Sequence, residues 1–77
     1  MKINDVVTSD PEILGGTPVF KGTRVPVKNL FDYLEAGDSV DKFIEDFDYI
    51  QKESVIAVLK FTEKIFDQPS VYESIAG

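Results

Sequence analysis

The sequence predicts a mainly α-helical protein, in which a small N-terminal β-hairpin or β-region precedes a three-helix part of helix-turn-helix proportions. Glycine and proline are concentrated in the N-terminal third, where short β-compatible runs flank a tight turn. From Val27 onward, apolar residues instead recur at helical spacing in three successive stretches. We expect a single domain over residues 1–68, with the β-region in 1–26 and the helices in 27–68, followed by a C-terminal tail in 69–77.

The β-region is predicted from two runs, Pro18-Val19-Phe20 and Arg24-Val25, on either side of Lys21-Gly22-Thr23. Gly22 is free to adopt a positive φ, so these runs form a tight hairpin. Val6-Val7-Thr8 is a further strand candidate that supplies a third strand. A lone hairpin is marginal in water and has open edges, so pairing with the same element of a second subunit is the alternative.

Helical spacing and capping residues identify the first two helices. The first runs from about Val27 to Ala36 and ends at Gly37, a residue suited to the position after a helix C-terminus. Asp38 or Ser39 caps the second helix. In both helices the apolar residues recur at i, i+3, i+4 and i+7: Val27, Leu30, Phe31 and Leu34 in the first, and Val40, Phe43, Ile44 and Phe47 in the second.

The third helix is predicted from Gln51 or Lys52 to Phe66, with Pro69 beyond its end. A turn of about three residues, Asp48 to Ile50, separates it from the second helix, which gives the pair helix-turn-helix proportions. Its apolar face is wider than a small core needs. We therefore expect a homodimer whose interface is either this face or the N-terminal region.

Composition excludes several classes of function. The chain has no cysteine and no histidine, so thiolate metal sites and disulfides are excluded and the commonest general base is missing. We therefore expect no enzymatic activity, no metal and no cofactor. The N-terminus lacks the apolar run of a signal peptide and no apolar stretch is long enough for a membrane span, which predicts a cytoplasmic protein without a membrane partner.

The net charge of −6 is unevenly distributed. Residues 1–30 carry four bases and three acids, whereas residues 31–77 carry four bases and eleven acids. The helical part therefore repels a polyanion at long range, and DNA binding by this chain alone is expected to be weak. An acidic surface is instead suited to a basic protein partner.

The segment from Ser9 to Val27 contains Gly16-Thr17-Pro18 and Gly22-Thr23-Arg24. It resembles the bacterial family called domain of unknown function 433, whose pattern is similar to "dPeilgGkPvi.GTRipV". The resemblance covers about residues 3–66 and includes a first helix that ends in Ala-Gly and a third helix that contains Val55-Ile56-Ala57-Val58-Leu59.

The chain departs from the family pattern in two places. Asp48 stands where the family usually has proline, and Gln51 stands where it usually has a threonine or serine cap. Both positions precede the third helix, so its N-terminus is less well capped here.

The resemblance implies a small, often dimeric, helix-turn-helix-like domain. Some members of the family resemble antitoxins, which are encoded beside toxins with a PIN-type, Mg²⁺-dependent ribonuclease fold. By that resemblance the chain inhibits such a toxin by direct contact and represses its own operon. The alternatives are an autonomous helix-turn-helix DNA-binding protein and an uncharacterised dimeric interaction module.

Three groups of residues are the candidate sites. The glycines and prolines of the β-region and Thr23 are interpreted as structural: Gly15, Gly16, Pro18, Gly22, Thr23 and Pro26. The residues expected to contact a protein partner are Arg24, with its bidentate guanidinium, and three apolar residues of the tail: Val71, Tyr72 and Ile75. The residues that would face DNA on a recognition helix are Gln51, Lys52, Ser54 and Lys60.

Each of these functional interpretations has a structural alternative. Arg24 is alternatively bonded to carbonyls of the Gly15-Gly16 loop, or to Asp10 or Glu12. The third-helix residues are alternatively an ordinary solvated surface. The apolar tail residues either order on a partner, pack against the same chain or fray.

Overall fold

The structure is a computed structural model, and it describes residues 2–68. It is mostly helical with one small two-stranded antiparallel sheet near the N-terminus, which confirms the predicted fold class. In chain order the elements are α1 (Ile3–Val6), β1 (Val7–Thr8), β2 (Val19–Phe20), α2 (Lys28–Glu35), α3 (Val40–Asp46) and α4 (Lys52–Phe66). The tail residues Val71, Tyr72 and Ile75 lie outside the described residues.

The sheet pairs β2 with β1, so that Val7 lies opposite Phe20 and Thr8 lies opposite Val19. The predicted partner of β2, Arg24-Val25, forms no regular strand. Only an isolated bridge joins Val19 to Pro26 on that side. The predicted hairpin around Lys21-Gly22-Thr23 is present as this bridge and its hydrogen bonds, although residues 24–25 form no regular strand. The candidate third strand lies at Val7–Thr8.

The hydrogen bonds explain why the second arm of the hairpin is irregular. The Phe20 N–H donates to the Val25 carbonyl at 3.0 Å, as in a hairpin. The Val27 N–H likewise donates to the Pro18 carbonyl at 3.0 Å. The Val25 N–H, however, donates to the Thr23 hydroxyl at 3.0 Å instead of to the Phe20 carbonyl, so the ladder lacks one bond at the end next to the turn.

Val6 belongs to the short helix α1, which the sequence did not predict. The Asp5 carboxylate accepts a hydrogen bond from the Lys2 N–H at 2.9 Å and so satisfies one of the free donors at the N-terminus of α1. The Val6 side chain is buried, and its carbonyl accepts from the Lys21 N–H at 2.8 Å. Val6 is thus the last residue of α1 and directly precedes β1.

The connection from α2 to α3 has well-formed caps. Gly37 has a φ of 89°, and its N–H donates to the Leu34 carbonyl at 3.0 Å, while the Asp38 N–H donates to the Tyr33 carbonyl at 2.9 Å. This pair of bonds is a Schellman motif. Ser39, rather than Asp38, caps α3: its hydroxyl accepts from the Lys42 N–H at 3.1 Å.

The core lies where α4 meets α1 and α3, with the sheet and α2 around it. Its centre is aromatic. The ring centroid of Phe43, which is fully buried, lies 5.8 Å from that of Phe20, 5.3 Å from that of Tyr33 and 4.9 Å from that of Phe47. The buried apolar residues are Val6, Val19, Phe20, Val25, Leu30, Phe43, Ile50, Val55 and Val58.

Candidate functional site

The turn that follows β2 presents Arg24 to solvent. Thr23 shapes this turn, because its hydroxyl donates to the Phe20 carbonyl at 2.7 Å and accepts from the Val25 N–H. Gly22 has a φ of 80°. Arg24 is exposed and makes no hydrogen bond or ion pair with any residue from 2 to 68, so it does not fold back on Asp10 in this structure. Its guanidinium is available for contact with a partner.

A second exposed feature of the β-region is Leu14. The φ of Leu14 is 50°, and the following Gly15 and Gly16 also have positive φ. This left-handed conformation is unfavourable for a residue with a β-carbon. The Leu14 side chain is not part of the core, since 47% of the residue surface is exposed. The turn is held by Thr17, whose hydroxyl and N–H both donate to the Leu14 carbonyl, and by Ser9, whose hydroxyl donates to the Gly16 carbonyl.

Leu14 was not a candidate from the sequence, since no pattern marks a leucine for a positive φ. The only signal was its position directly before two glycines, which are the residues that tolerate such a backbone. Strained backbone that does not serve the core is found preferentially at binding sites. Leu14 therefore joins Arg24 as a candidate contact residue.

A polar cluster joins α2 to α3. The Tyr33 hydroxyl donates to the Asp46 carboxylate at 2.6 Å, and the Lys42 ammonium donates to it at 3.2 Å. The hydrogen bond from Tyr33, followed by that from Lys42, lowers the pKa of Asp46, while the bond to Asp46 raises the pKa of Tyr33 and that of Lys42. The largest cause of each shift is a hydrogen bond inside the cluster, so we interpret the cluster as structural.

The four residues that were predicted to face DNA do not share one surface. Lys52 and Lys60 line a groove along α4, whereas Gln51 and Ser54 line a separate depression of about 240 Å³ beside Lys21. The Lys52 ammonium also lies 3.1 Å from the Asp41 carboxylate on α3. An adjacent carboxylate makes a lysine less attractive to a phosphate, which weakens the DNA interpretation of this residue.

The groove on α4, here called the α4 groove, has a volume of about 810 Å³. Its apolar floor comes from Ile3 of α1 and from Ile56, Ala57 and Phe61 of α4. Ile56 is 39% exposed and Phe61 is 43% exposed. Ile56 and Phe61 belong to the part of the wide apolar face that the core does not cover, whereas Ile3 and Ala57 also pack against the core.

The rim of the α4 groove is charged. It contains four of the eight basic residues of the chain, although the net charge of the chain is −6. These residues are Lys2, Lys52, Lys60 and Lys64, and Glu53 is the acidic residue among them. The sequence predicted the excess apolar face, but it did not predict that the bases would gather around it.

The part of the chain that the structure describes contains neither a group of metal-ligating side chains nor a helix that could cross a membrane. Within residues 2–68, no cluster of acidic side chains is arranged to hold a metal ion. The helices in this range are too short or too polar to cross a membrane.

Comparison with known proteins places the chain among relatives without an assigned activity. Residues 7–62 match the model of a family described as "Protein of unknown function (DUF433)". A curated relative, "Uncharacterized protein y4eO" of Sinorhizobium fredii (strain NBRC 101917 / NGR234), is 45% identical over 51 residues, which are 66% of this chain and 23% of the relative. The chain thus spans less than a quarter of the curated relative that it matches. No solved structure matches the chain.

Proposed function

The chain belongs to the DUF433 family of proteins of unknown function, and we propose that it is a non-catalytic binding protein of the antitoxin type. In this proposal it neutralises a PIN-type ribonuclease toxin by direct contact and acts in the cytoplasm. The observation that carries the proposal is Leu14, an exposed apolar side chain on a backbone with positive φ. A positive φ at leucine destabilises the free chain, and strained backbone of this kind is concentrated at binding sites.

Charge supports a protein partner of this type in two ways. The exposed acids of α3, such as Glu45, are complementary to the basic surface that an RNA-cleaving enzyme needs, which speeds association. Arg24 has a guanidinium that fits a carboxylate in a bidentate manner, and the metal site of a Mg²⁺-dependent ribonuclease is built from carboxylates. Contact through Arg24 would block that site.

The proposal is tested by co-expression with the product of the adjacent gene. We expect that product to be toxic alone, to lose its toxicity in the presence of this chain, and to co-purify with it. Leu14→Gly is expected to leave the free energy of unfolding unchanged or to raise it by up to about 1 kcal/mol, because glycine relieves the positive φ. The same change is expected to weaken toxin binding by about tenfold or more, since it removes a contact residue.

The control for this experiment is Lys21→Ala, which removes an exposed cation from the same turn that carries Arg24. Arg24→Ala is expected to reduce binding, whereas Lys21→Ala is not. A neighbouring gene product that is harmless alone, or that never co-purifies with the chain, contradicts the proposal. Normal binding by both Leu14→Gly and Arg24→Ala contradicts the assigned surface.

A second candidate function is DNA binding through α3 and α4, including repression of its own operon. It is favoured by the short α3, the connection of residues 47–51 and the longer α4, which have helix-turn-helix proportions. We expect the purified chain to bind its own promoter weakly and to lose that binding near physiological salt, because Lys52 is paired with Asp41.

A salt titration of promoter binding checks this expectation. Binding that persists near physiological salt, and that Lys52→Glu and Lys60→Glu abolish, would establish the DNA-binding function instead. Lys28→Glu is a suitable control, because Lys28 is an exposed lysine outside both the α4 groove and the pair formed by α3 and α4.

A further inference from the structure

The solvent-facing side of α4 has the residue spacing of a helix that packs against another helix. Glu53, Ala57, Lys60 and Lys64 follow each other at intervals of four, three and four residues, which places them along one line. All of them line the α4 groove. Ile56 and Phe61 flank the line on opposite sides and are exposed. The intervals are those of the central line of a helix–helix contact, but three of the four residues on this line are charged and the apolar residues lie beside it.

The charges on this line are separated along the helix. Glu53 lies near the N-terminus of α4, whereas Lys60 and Lys64 lie near its C-terminus. Within residues 2–68 none of these three side chains forms an ion pair. Lys60 and Lys64 are also four residues apart on one helix, an arrangement in which like charges repel. The separation leaves the line with an acidic end and a basic end, both unpaired.

A second copy of the chain in antiparallel orientation complements this pattern. If a two-fold axis passes between Val58 and Leu59, Glu53 of each copy lies opposite Lys64 of the other copy. The same axis sets Ala57 opposite Lys60 of the second copy, so that the long lysine stem covers a small side chain and its ammonium reaches solvent. Both ends of the pair then carry an ion pair of opposite charges.

The flanking apolar residues fit the same axis. In an antiparallel pair with two-fold symmetry, residues on one flank meet the same flank of the other helix. Ile56 therefore lies on the same side of the pair as its symmetry mate, and Phe61 lies on the other side with its own mate, each pair of mates being offset along the axis by five residues, about 7.5 Å. A parallel pair would instead place Glu53 against Glu53 and Lys64 against Lys64, and it is disfavoured by charge.

From these observations we propose that the α4 groove is the interface of an antiparallel homodimer, with Glu53 and Lys64 forming reciprocal ion pairs around a two-fold axis between Val58 and Leu59. The proposal does not depend on the toxin or on DNA. The paired stretch from residue 53 to residue 64 is about 17 Å long. An interface of this length is small, so the dimer is expected to dissociate on dilution.

Reciprocal charge reversal tests the register. Sedimentation equilibrium over a range of concentrations is expected to show a dimer for the wild-type chain and about tenfold or greater weakening for Glu53→Lys and for Lys64→Glu, because each change sets like charges opposite each other twice. A one-to-one mixture of the two variants is expected to form a heterodimer, since every ion pair is restored in it. The double variant Glu53→Lys/Lys64→Glu is expected to regain homodimerisation.

The restored dimers separate this proposal from a simple effect on helix stability. Glu53 and Lys64 each lie at the helix terminus that favours its charge, so both reversals weaken α4 and the double variant weakens it most. An effect through helix stability alone would therefore make the double variant the poorest dimer. Circular dichroism of each variant serves to check that it is folded. Glu35→Lys and Lys21→Glu provide the same charge changes at exposed positions outside the groove.

Three outcomes would overturn the proposal. One is a wild-type chain that stays monomeric at every concentration, which would leave the groove to the tail segment 69–77 or to a different protein. Another is a pair of folded single variants that dimerise as tightly as the wild-type chain. The third is a mixture of the single variants that fails to associate although the wild-type chain is dimeric.

Discussion

Replacement of Phe43 by alanine is expected to lower the free energy of unfolding by about 3–5 kcal/mol. The Phe43 side chain is fully buried and contacts the rings of Phe20, Tyr33 and Phe47, so its removal leaves a cavity that three elements border. A domain of this length has a total stability of roughly 4–12 kcal/mol. Urea denaturation followed by circular dichroism at 25 °C is therefore expected to show a midpoint at a much lower urea concentration than that of the wild-type chain.

Phe66→Ala is the matched control, because Phe66 is a phenylalanine on α4 that is 53% exposed. Its loss is expected to change the free energy of unfolding by less than about 1 kcal/mol. If Phe43→Ala had an effect as small as that of Phe66→Ala, the aromatic cluster would not be the centre of the core.

Val55→Asp is expected to have the second large effect, a loss of about 4 kcal/mol or more. Val55 is fully buried at the point where α4 enters the core, and no buried polar side chain among the described residues could pair with a carboxylate there. The variant must either bury a charge or bind a proton in order to fold. We expect thermal denaturation to show no cooperative transition at neutral pH.

Ile56→Asp is the control, because it introduces the same side chain at the adjacent position of α4. Ile56 is 39% exposed, so Ile56→Asp keeps its carboxylate hydrated and is expected to cost less than about 1 kcal/mol in the monomer. The comparison is made at a concentration low enough to keep the chain monomeric. Equal destabilisation by the two variants would mean that the face of α4 that packs on the core is assigned incorrectly.

The long helices were predictable because their apolar residues repeat over at least two turns and their ends carry recognisable caps. Helix α2 ends one residue before the predicted end, ahead of Gly37, and α3 begins directly after its predicted cap, Ser39. Helix α4 begins and ends within the predicted range. Helix α1, by contrast, has only four residues, which is too short for a periodic pattern. Val6 was therefore assigned to a strand.

The β-region was harder to predict because its pairing depends on bonds that the sequence does not display. The Thr23 hydroxyl accepts from the Val25 N–H, so the second arm of the hairpin is irregular, and the regular partner of β2 is the distant Val7–Thr8. The positive φ of Leu14 and the lysine-rimmed groove were unpredictable for a related reason. Each depends on how separate segments meet in three dimensions, and residue spacing along one segment carries no such information.

The docking of α1 on α4 has a consequence for the order in which the chain folds as it is synthesised. The α2–α3 hairpin relies on near neighbours and can close early, as soon as Ser39 and Phe43 are available. Helix α1, although made first, finds its partner only after most of α4 has left the ribosome, because the two elements are about fifty residues apart. Until α4 has been synthesised, α1 therefore stays undocked, and its apolar side chains are accessible to chaperones or to a partner.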